Sequence, residues 1–174
     1  MKKIALITGA TSGIGEACAQ QFAKNGYDLI LTGRNREKLE QLKDDLSTEN
    51  VDVLLLCFDV RNRKAAIAAI ESLDERWQKI DVLVNNAGLA LGLDAEFAGD
   101  MDDWETMIDT NIKGLLTMTR LVVPGMVDRN HGHVINIGSV AGDVAYANGN
   151  VYCATKAAVK AISDGLRVDL VNTA

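Results

Sequence analysis

The sequence has few of the features that mark disulfide-linked, membrane-spanning or nucleic-acid-binding proteins. Its three cysteines, Cys18, Cys57 and Cys153, are widely spaced without a C-x-x-C pair, which argues against a disulfide framework or a zinc site. No apolar run is long enough to cross a bilayer. No basic block interrupts a chain of net charge −6, which argues against nucleic acid or an anionic membrane as partner. We expect a cytoplasmic protein without a metal.

What the sequence does contain is a repeated alternation of short apolar runs and longer amphipathic segments. The apolar runs are continuous, as in strands buried on both faces, and lie at Ile4–Thr8, Asp28–Thr32, Val51–Cys57, Val82–Asn85 and Val134–Ile137. The helical patterns lie at Gly15–Asn25, Arg36–Leu46, Lys64–Trp77, Met101–Arg129 and Val151–Val171. This alternation predicts a single α/β domain over residues 1–174, a Rossmann-like doubly wound parallel sheet with helices on both faces.

The last predicted strand raises a question about the C-terminal end of the domain. The chain stops at Ala174, directly after a helix, so Val134–Ile137 would be an apolar edge strand. Natural proteins rarely leave such an edge uncovered. We therefore expect at least one further strand after Ala174, so that the domain as printed is C-terminally incomplete.

A glycine-rich turn follows the first predicted strand. Glycines at the spacing found in Thr8–Gly15 allow a tight turn and a close approach of the backbone to a pyrophosphate, whose charge the following helix N-terminus attracts. Because the spacing is G-x-x-x-G-x-G, a tight turn without a ligand remains the alternative. The candidate phosphate-binding residues are Thr8, Gly9, Thr11, Ser12, Gly13, Ile14 and Gly15.

The residues after the second predicted strand indicate which dinucleotide is bound. A carboxylate at this point binds the ribose 2′-hydroxyl of NAD, whereas arginine accommodates the 2′-phosphate of NADP. Arg34 and Arg36 occur here, and no carboxylate comes before Glu37. Since guanidinium groups suit bidentate phosphate contacts, the sequence favours NADP, a solvated helix start being the alternative.

A tyrosine and a lysine on the last predicted helix are candidates for proton transfer. Tyr152 and Lys156 are four residues apart, hence on one face. A cation about 4 Å from a phenolate stabilises it by on the order of 4 kcal/mol at an effective dielectric near 20, which favours proton exchange at neutral pH. Ser139 comes just after the fifth predicted strand, at the sheet edge where ligands bind. Together these residues predict an acid–base site.

These motifs together resemble those of the short-chain dehydrogenase/reductase family along the whole chain. The shared features are T-G-x-x-x-G-I-G at Thr8–Gly15, Asp59-Val60, N-N-A-G at Asn85–Gly88, Asn111, Ser139 and Y-x-x-x-K at Tyr152–Lys156.

The resemblance implies a role for each matching residue. Tyr152 would be the acid/base, Lys156 would support it and hold the nicotinamide ribose, and Ser139 would hydrogen-bond the reacting oxygen. Asn111 would support a water in the proton relay. The cofactor contacts would include Asp59 and Val60 at the adenine and Asn85, Ala87 and Gly88 along the dinucleotide.

Longer segments resemble one branch of the family, the NADP-dependent 3-hydroxy acid dehydrogenases, also called serine 3-dehydrogenases. They are Asn85–Gly92, Trp104–Asn111, Asn130–Ser139 and Gly149–Tyr152. The resemblance implies oxidation of a small 3-hydroxy acid such as L-serine, L-allo-threonine or 3-hydroxypropionate. Because residues 89–101 and 140–151 contain no Lys or Arg, we expect the cation for the substrate carboxylate to come from beyond Ala174.

Alternative functions remain open at this point. A 3-oxoacyl-carrier-protein reductase tends to carry basic residues at the end of the last helix, where this chain has Asp169. A non-catalytic NADP-binding sensor would not need Tyr152, Lys156, Ser139 and Asn111 together. An inactive fragment is the third alternative. The resemblance also implies a homodimer or homotetramer, formed through the helical regions 101–129 and 151–171.

Overall fold

Five parallel strands form one sheet in the computed structural model, which describes residues 2–171 and residue 173. The strands are β1 (Ile4–Ile7), β2 (Asp28–Gly33), β3 (Val53–Cys57), β4 (Val82–Asn85) and β5 (His133–Asn136). The helices are α1 (Gly13–Lys24), α2 (Arg36–Asp45), α3 (Arg63–Glu71), α4 (Met101–Ile108), α5 (Leu115–Asp128) and α6 (Asn150–Leu170). The predicted doubly wound α/β fold is confirmed, with strand boundaries that differ from the prediction by at most two residues.

The strand order determines where a ligand can bind. The order is β3-β2-β1-β4-β5. The chain adds β2 and β3 on one side of β1 and then β4 and β5 on the other side, so the strand order reverses between β1 and β4. Ile7 of β1 is in register with Leu31 of β2 on one side and with Val84 of β4 on the other. All strands therefore end at one edge, and ligands of such sheets bind in the crevice at the reversal. Within the described residues, β5 pairs with β4 alone.

Both faces of the sheet are buried, which explains the continuous apolar runs of the sequence. On one face Leu6, Ile30 and Leu83 pack with residues of α3 and α5. On the other face the next residues of the same strands, Ile7, Leu31 and Val84, pack with residues of α1 and α2. Each such side chain contributes about 1.5–3 kcal/mol through burial, so the central strands form a rigid support for the loops at their ends.

The predicted continuous helix at Met101–Arg129 is wrong in one respect. Residues Asp109–Gly114 form a π-helical segment between α4 and α5. A side chain at Gly114 would lie 2.8 Å from Cγ2 of Val60, so the backbone comes unusually close to the residues after β3 here. Such π segments often occur at functional sites, and this one contains the predicted site residue Asn111.

The predicted helix at Lys64–Trp77 is shorter in the structure. α3 ends at Glu71, and Oγ of Ser72 donates a hydrogen bond to the carbonyl of Ala69. Oδ1 of Asp74 accepts a hydrogen bond from the backbone N–H of Trp77. Ser and Asp side chains compete with the helical backbone in this way, which the apolar periodicity alone does not reveal.

Candidate active site

A cavity of about 390 Å³ lies at the carboxyl ends of the strands, where the strand order reverses. The predicted site residues that line it are Gly9, Thr11, Ser12, Ile14, Arg34, Asp59, Val60, Ala87, Gly88, Tyr152 and Lys156. Those that lie outside its lining are Thr8, Gly13, Gly15, Arg36, Asn85, Asn111 and Ser139. The structure thus brings most of the predicted residues to one place, although they span nearly the whole chain.

The turn after β1 depends on glycine for its backbone conformation and its close packing. Gly9 and Gly13 have φ values of 64° and 56°, a region that non-glycine residues rarely adopt. A Cβ at Gly15 would lie 2.4 Å from both the carbonyl oxygen of Gly9 and Nδ2 of Asn86. Ser12 precedes α1 without a side-chain capping bond, which leaves the N–H groups of the first helical turn for an anion.

Asn86 fixes this turn, although the sequence did not single it out. Its side-chain amide donates hydrogen bonds to the carbonyls of Thr8 and Gly9, at 2.9 and 3.0 Å. In return, Oγ1 of Thr8 accepts hydrogen bonds from the backbone N–H groups of Asn86 and Ala87, both at 3.0 Å. Reciprocal hydrogen bonds therefore join the turn after β1 to the turn after β4. The N-N-A-G run was the available signal for this residue.

Asn85 is predicted to contact the cofactor, but its side chain points elsewhere. Its amide donates to Oγ1 of Thr119 at 3.0 Å and to Oδ1 of Asn136 at 2.9 Å. Asn85 is the last residue of β4 and is not part of the cavity lining, whereas Asn86, just beyond the strand, is. Asn85 instead joins β4, β5 and α5 through a buried polar contact.

The two arginines after β2 have different surroundings. Arg34 lines the cavity with a largely exposed side chain, and its Nη1 lies 3.9 Å from Oδ2 of Asp59. Arg36 begins α2, and its Nε donates to Oε1 of Glu40 at 2.8 Å. A Cβ at Gly33 would lie 2.7 Å from Cγ2 of Thr11, so β2 closes tightly against the glycine-rich turn. Arg34 is the guanidinium that this geometry presents to a ligand.

Asp59 and Val60, which follow β3, form the next wall of the cavity. Nε and Nη2 of Arg61 donate to the Asp59 carboxylate, Nη2 at 2.7 Å from Oδ2. Partial burial raises the pKa of Asp59, but the hydrogen bonds from Arg61 outweigh it, so the pKa lies below its ordinary value. Val60 is buried and belongs to the core as well as to the cavity. Asp59 therefore presents an ionised carboxylate at neutral pH.

Tyr152 and Lys156 enter the cavity from the first turns of α6. Lys156 is only 7% exposed, and its Nζ donates to the carbonyl of Ile137 at 2.9 Å. The same Nζ lies 5.8 Å from the centroid of the Tyr152 ring. Burial lowers the pKa of Lys156 below its ordinary value. The Lys156 ammonium thus lies beside the tyrosine ring, and the carbonyl of Ile137, the residue after β5, fixes its position.

Asn111 is held in the π-helical segment by both of its side-chain groups. Oδ1 accepts from the backbone N–H of Leu89 at 2.9 Å, and Nδ2 donates to the carbonyl of Leu89 at 2.9 Å and to Oγ1 of Thr155 at 3.0 Å. Oγ1 of Thr155 donates in turn to the carbonyl of Tyr152 at 2.7 Å. Asn111 therefore couples the segment after β4 to the backbone of Tyr152. No sequence pattern pointed to Thr155.

Ser139 lies beyond β5 at the start of a 3₁₀ turn, Val140–Gly142. Its Oγ accepts a hydrogen bond from the backbone N–H of Ala141 at 3.1 Å. The hydroxyl proton remains available for donation, since a hydroxyl both accepts and donates. A Cβ at Gly142 would lie 2.7 Å from the carbonyl oxygen of Lys156, so this turn packs directly against α6 near the tyrosine and lysine.

A second, smaller cavity of about 30 Å³ adjoins the first, and Tyr152 lines both. Within the described part of the chain its lining contains no Lys or Arg. Its carboxylates are Asp94, Glu96, Asp100 and Asp103. The space beside Tyr152 on this side therefore has an acidic wall.

The other findings on the site concern metals and membranes. Among residues 2–171 and 173, no cluster of three or more His, Cys, Asp or Glu side chains is placed to hold a metal ion. Of the helices described, none combines the length and the apolar character needed to cross a bilayer.

The glycine-rich turn, the reversed strand order and the Tyr152–Lys156 pair define a class of protein. The chain belongs to the short-chain dehydrogenase family, whose model matches residues 3–174. Members of this family are oxidoreductases that act on CH–OH groups, and the sequence-based prediction of the family is confirmed.

Individual relatives are more specific. The chain is 58% identical over 171 residues to the NADP-dependent 3-hydroxy acid dehydrogenase of Salmonella typhi, covering 98% of this chain and 68% of the relative. It is 47% identical over 174 residues to sulfoacetaldehyde reductase 2 of Chromohalobacter salexigens, covering 99% and 69%. The crystal structure of serine dehydrogenase from Escherichia coli superposes with a TM-score of 0.92 at 53% identity, covering 97% of this chain and 77% of that one.

Proposed function

We propose that the protein is an NADP-dependent dehydrogenase of small 3-hydroxy acids, with L-serine and L-allo-threonine as the favoured substrates and 3-hydroxypropionate as a weaker one. The observation that carries the proposal is the meeting of Tyr152, Lys156 and the glycine-rich turn in one cavity. The similarity to an NADP-dependent 3-hydroxy acid dehydrogenase and to a serine dehydrogenase supports both the cofactor and the substrate class.

The residues around the cavity fit a dinucleotide carrying a 2′-phosphate. Gly9 lines the cavity, and an added Cβ there would lie 2.9 Å from Cα of Ala87, so the turn after β1 needs glycine at this position, and a glycine-rich turn lets a pyrophosphate approach the backbone closely. The free first turn of α1 attracts the pyrophosphate. Arg34 supplies a cation for the 2′-phosphate. In this proposal Asp59 and Val60 flank the adenine, and Ala87 and Gly88 flank the dinucleotide.

NADP, when bound, accepts or supplies the hydride, and the protein handles the proton. Tyr152 takes the hydroxyl proton of the alcohol during oxidation and returns it to the carbonyl oxygen during reduction. Lys156 stabilises the phenolate and is kept in place by the carbonyl of Ile137 at 2.9 Å. Ser139 donates a hydrogen bond to the reacting oxygen, and Asn111 supports the water that relays the proton.

The acidic wall beside Tyr152 supports a substrate that carries an ammonium group. Asp94, Glu96 and Asp103 lie along the smaller cavity, and carboxylates attract an ammonium while opposing a purely anionic substrate. L-Serine and L-allo-threonine have such a group, whereas 3-hydroxypropionate does not. Their shared carboxylate requires a cation from outside the lining of this smaller cavity.

The proposal is tested by measuring kcat/KM on a panel with NADP⁺ and NAD⁺. L-Serine, L-allo-threonine and 3-hydroxypropionate are compared with the sugar alcohol xylitol, and 3-oxoacyl thioesters are assayed in the reverse direction with NADPH and NADH. We expect NADP⁺-dependent oxidation of the 3-hydroxy acids, with the amino acids ahead of 3-hydroxypropionate. Turnover of the thioesters alone would contradict the proposed substrate class. Cofactor binding without turnover of any substrate would favour a non-catalytic sensor.

We also propose a cytoplasmic homodimer or homotetramer. Apolar side chains are exposed along α4, α5 and α6, namely Met101, Ile108, Leu116 and Val168. Burial of these side chains against a second copy would stabilise the assembly. Sedimentation equilibrium of the purified protein should give a mass two or four times that of the chain, and a monomeric mass at micromolar concentration would contradict this assembly.

A further inference from the structure

Two arginines compete for one carboxylate at the adenosine end of the cavity. Oδ2 of Asp59 accepts hydrogen bonds from Nη2 of Arg61 at 2.7 Å and from Nε of Arg61 at 3.0 Å. The same oxygen is the one that lies nearest to Arg34, with Nη1 at 3.9 Å. That separation exceeds hydrogen-bond length, so Arg61 already holds the oxygen that Arg34 would otherwise take.

Backbone hydrogen bonds hold Asp59 and Arg61 in one short turn. Oδ1 of Asp59 accepts the backbone N–H of Arg61 at 2.9 Å, and the backbone N–H of Asn62 donates to the carbonyl of Asp59 at 2.9 Å. Asn62 then caps α3 by accepting from the N–H of Ala65. The turn from Asp59 to Asn62 therefore fixes where the guanidinium of Arg61 lies, and Arg34 makes no side-chain hydrogen bond within the described residues.

We propose that Arg61 is a specificity-determining residue for the cofactor, because it occupies the Asp59 carboxylate and so keeps Arg34 free for the 2′-phosphate. Arg61 also offsets the negative charge of Asp59, which would otherwise repel a phosphate bound nearby. Arg61 acts through Asp59 and Arg34 and needs no contact with the cofactor. The inference rests on the proposed binding of NADP.

The expected effect follows from removing the Arg61 guanidinium. In R61M the Asp59 carboxylate loses three side-chain hydrogen-bond contacts and pairs with Arg34. Binding of the 2′-phosphate must then break that pair. We expect the ratio of Kd for NADH to Kd for NADPH to fall about 10-fold, which corresponds to about 1.4 kcal/mol, with Kd for NADH changed less than about 2-fold.

The test is a fluorescence titration of NADPH and NADH into wild-type protein and three variants. R63M is the matched control, because Arg63 is exposed, lies two residues away and is not part of the cavity lining. R61M/D59N removes the competing carboxylate as well, so the NADPH preference should return towards that of the wild type even if adenine binding weakens for both cofactors. Circular dichroism and urea denaturation check that each variant is folded.

Each outcome bears on one of the two claims. An unchanged ratio in R61M, an equal fall in R63M, or no recovery in the double variant would overturn the role of Arg61. Equal weakening of NADPH and NADH binding in R61M would make Arg61 merely structural and would also overturn it. A wild-type protein that binds neither cofactor, or prefers NADH, would instead overturn the proposed function on which the inference rests.

Discussion

Replacing Gly15 by alanine would place a methyl group where the two turns beside the cavity already touch. The added Cβ would lie 2.4 Å from Nδ2 of Asn86 and 2.4 Å from the carbonyl oxygen of Gly9. Asn86 must then move, and its hydrogen bonds to the carbonyls of Thr8 and Gly9 are strained or lost.

The magnitude can be worked from these contacts. Overpacking costs about 1–3 kcal/mol, and two neutral hydrogen bonds contribute about 1 kcal/mol each. Alanine is more favourable than glycine in a helix by about 0.5–1 kcal/mol, which offsets part of the loss because Gly15 lies in the first turn of α1. We expect the free energy of unfolding of G15A to fall by about 2–4 kcal/mol and NADPH binding to weaken.

Urea denaturation and an NADPH titration measure both effects. The matched control is G165A, since Gly165 is an exposed residue of α6 where an added Cβ meets nothing within 4 Å. That variant should be more stable than wild type by about 0.5–1 kcal/mol. If G15A unfolds within about 0.5 kcal/mol of wild type and binds NADPH equally well, the close approach of the two turns has been misjudged.

Two further variants test the buried groups of α6. T155V removes the hydroxyl that accepts a hydrogen bond from Asn111. We expect the free energy of unfolding to fall by about 1–2 kcal/mol and kcat to fall, whereas the control T117V should leave both values unchanged. Unchanged values in T155V would refute this. K156M removes an ammonium whose pKa burial lowers. The unfolded state of the wild type then binds more protons between that lowered pKa and 10.5, so the stability of the wild type rises with pH in this window. Relative to wild type, K156M should be more stable at pH 7 than at pH 10 by urea denaturation. The control K160M should show no such change between pH 7 and pH 10, because a hydrogen bond with Asp143 raises the pKa of the exposed Lys160 above 10.5, so any linked change in stability lies above that pH. A difference between K156M and wild type that does not vary with pH would contradict the burial argument.

The fold was predictable because its strands are buried on both faces. Continuous apolar runs such as Val82–Asn85 have no other simple interpretation when they alternate with amphipathic helices. The π-helical segment at Asp109–Gly114 was not predictable, since the apolar periodicity continues through it. The close approach of Gly114 to Val60 and the hydrogen bonds of Asn111 accompany this segment, and both are long-range contacts.

The candidate site was predictable to the extent that motifs name residues and strand ends place them. Tyr152, Lys156 and Arg34 do line the cavity. The end of β4 was predicted correctly, but Asn86 lies just beyond it, so only the hydrogen bonds in the structure distinguish the roles of Asn85 and Asn86. Thr155 meets the site through Asn111, 44 residues away, and this contact depends on the tertiary fold. Arg61 lies two residues from Asp59, but no motif named it as a partner of that carboxylate.

The most direct test of the account is the turnover of Y152F with NADP⁺ and L-serine. Because general acid–base catalysis contributes about 10²–10⁴-fold, kcat should fall by at least about 10²-fold, while the Kd for NADPH stays close to that of the wild type. A variant that retains wild-type kcat would contradict the assignment of proton transfer to Tyr152.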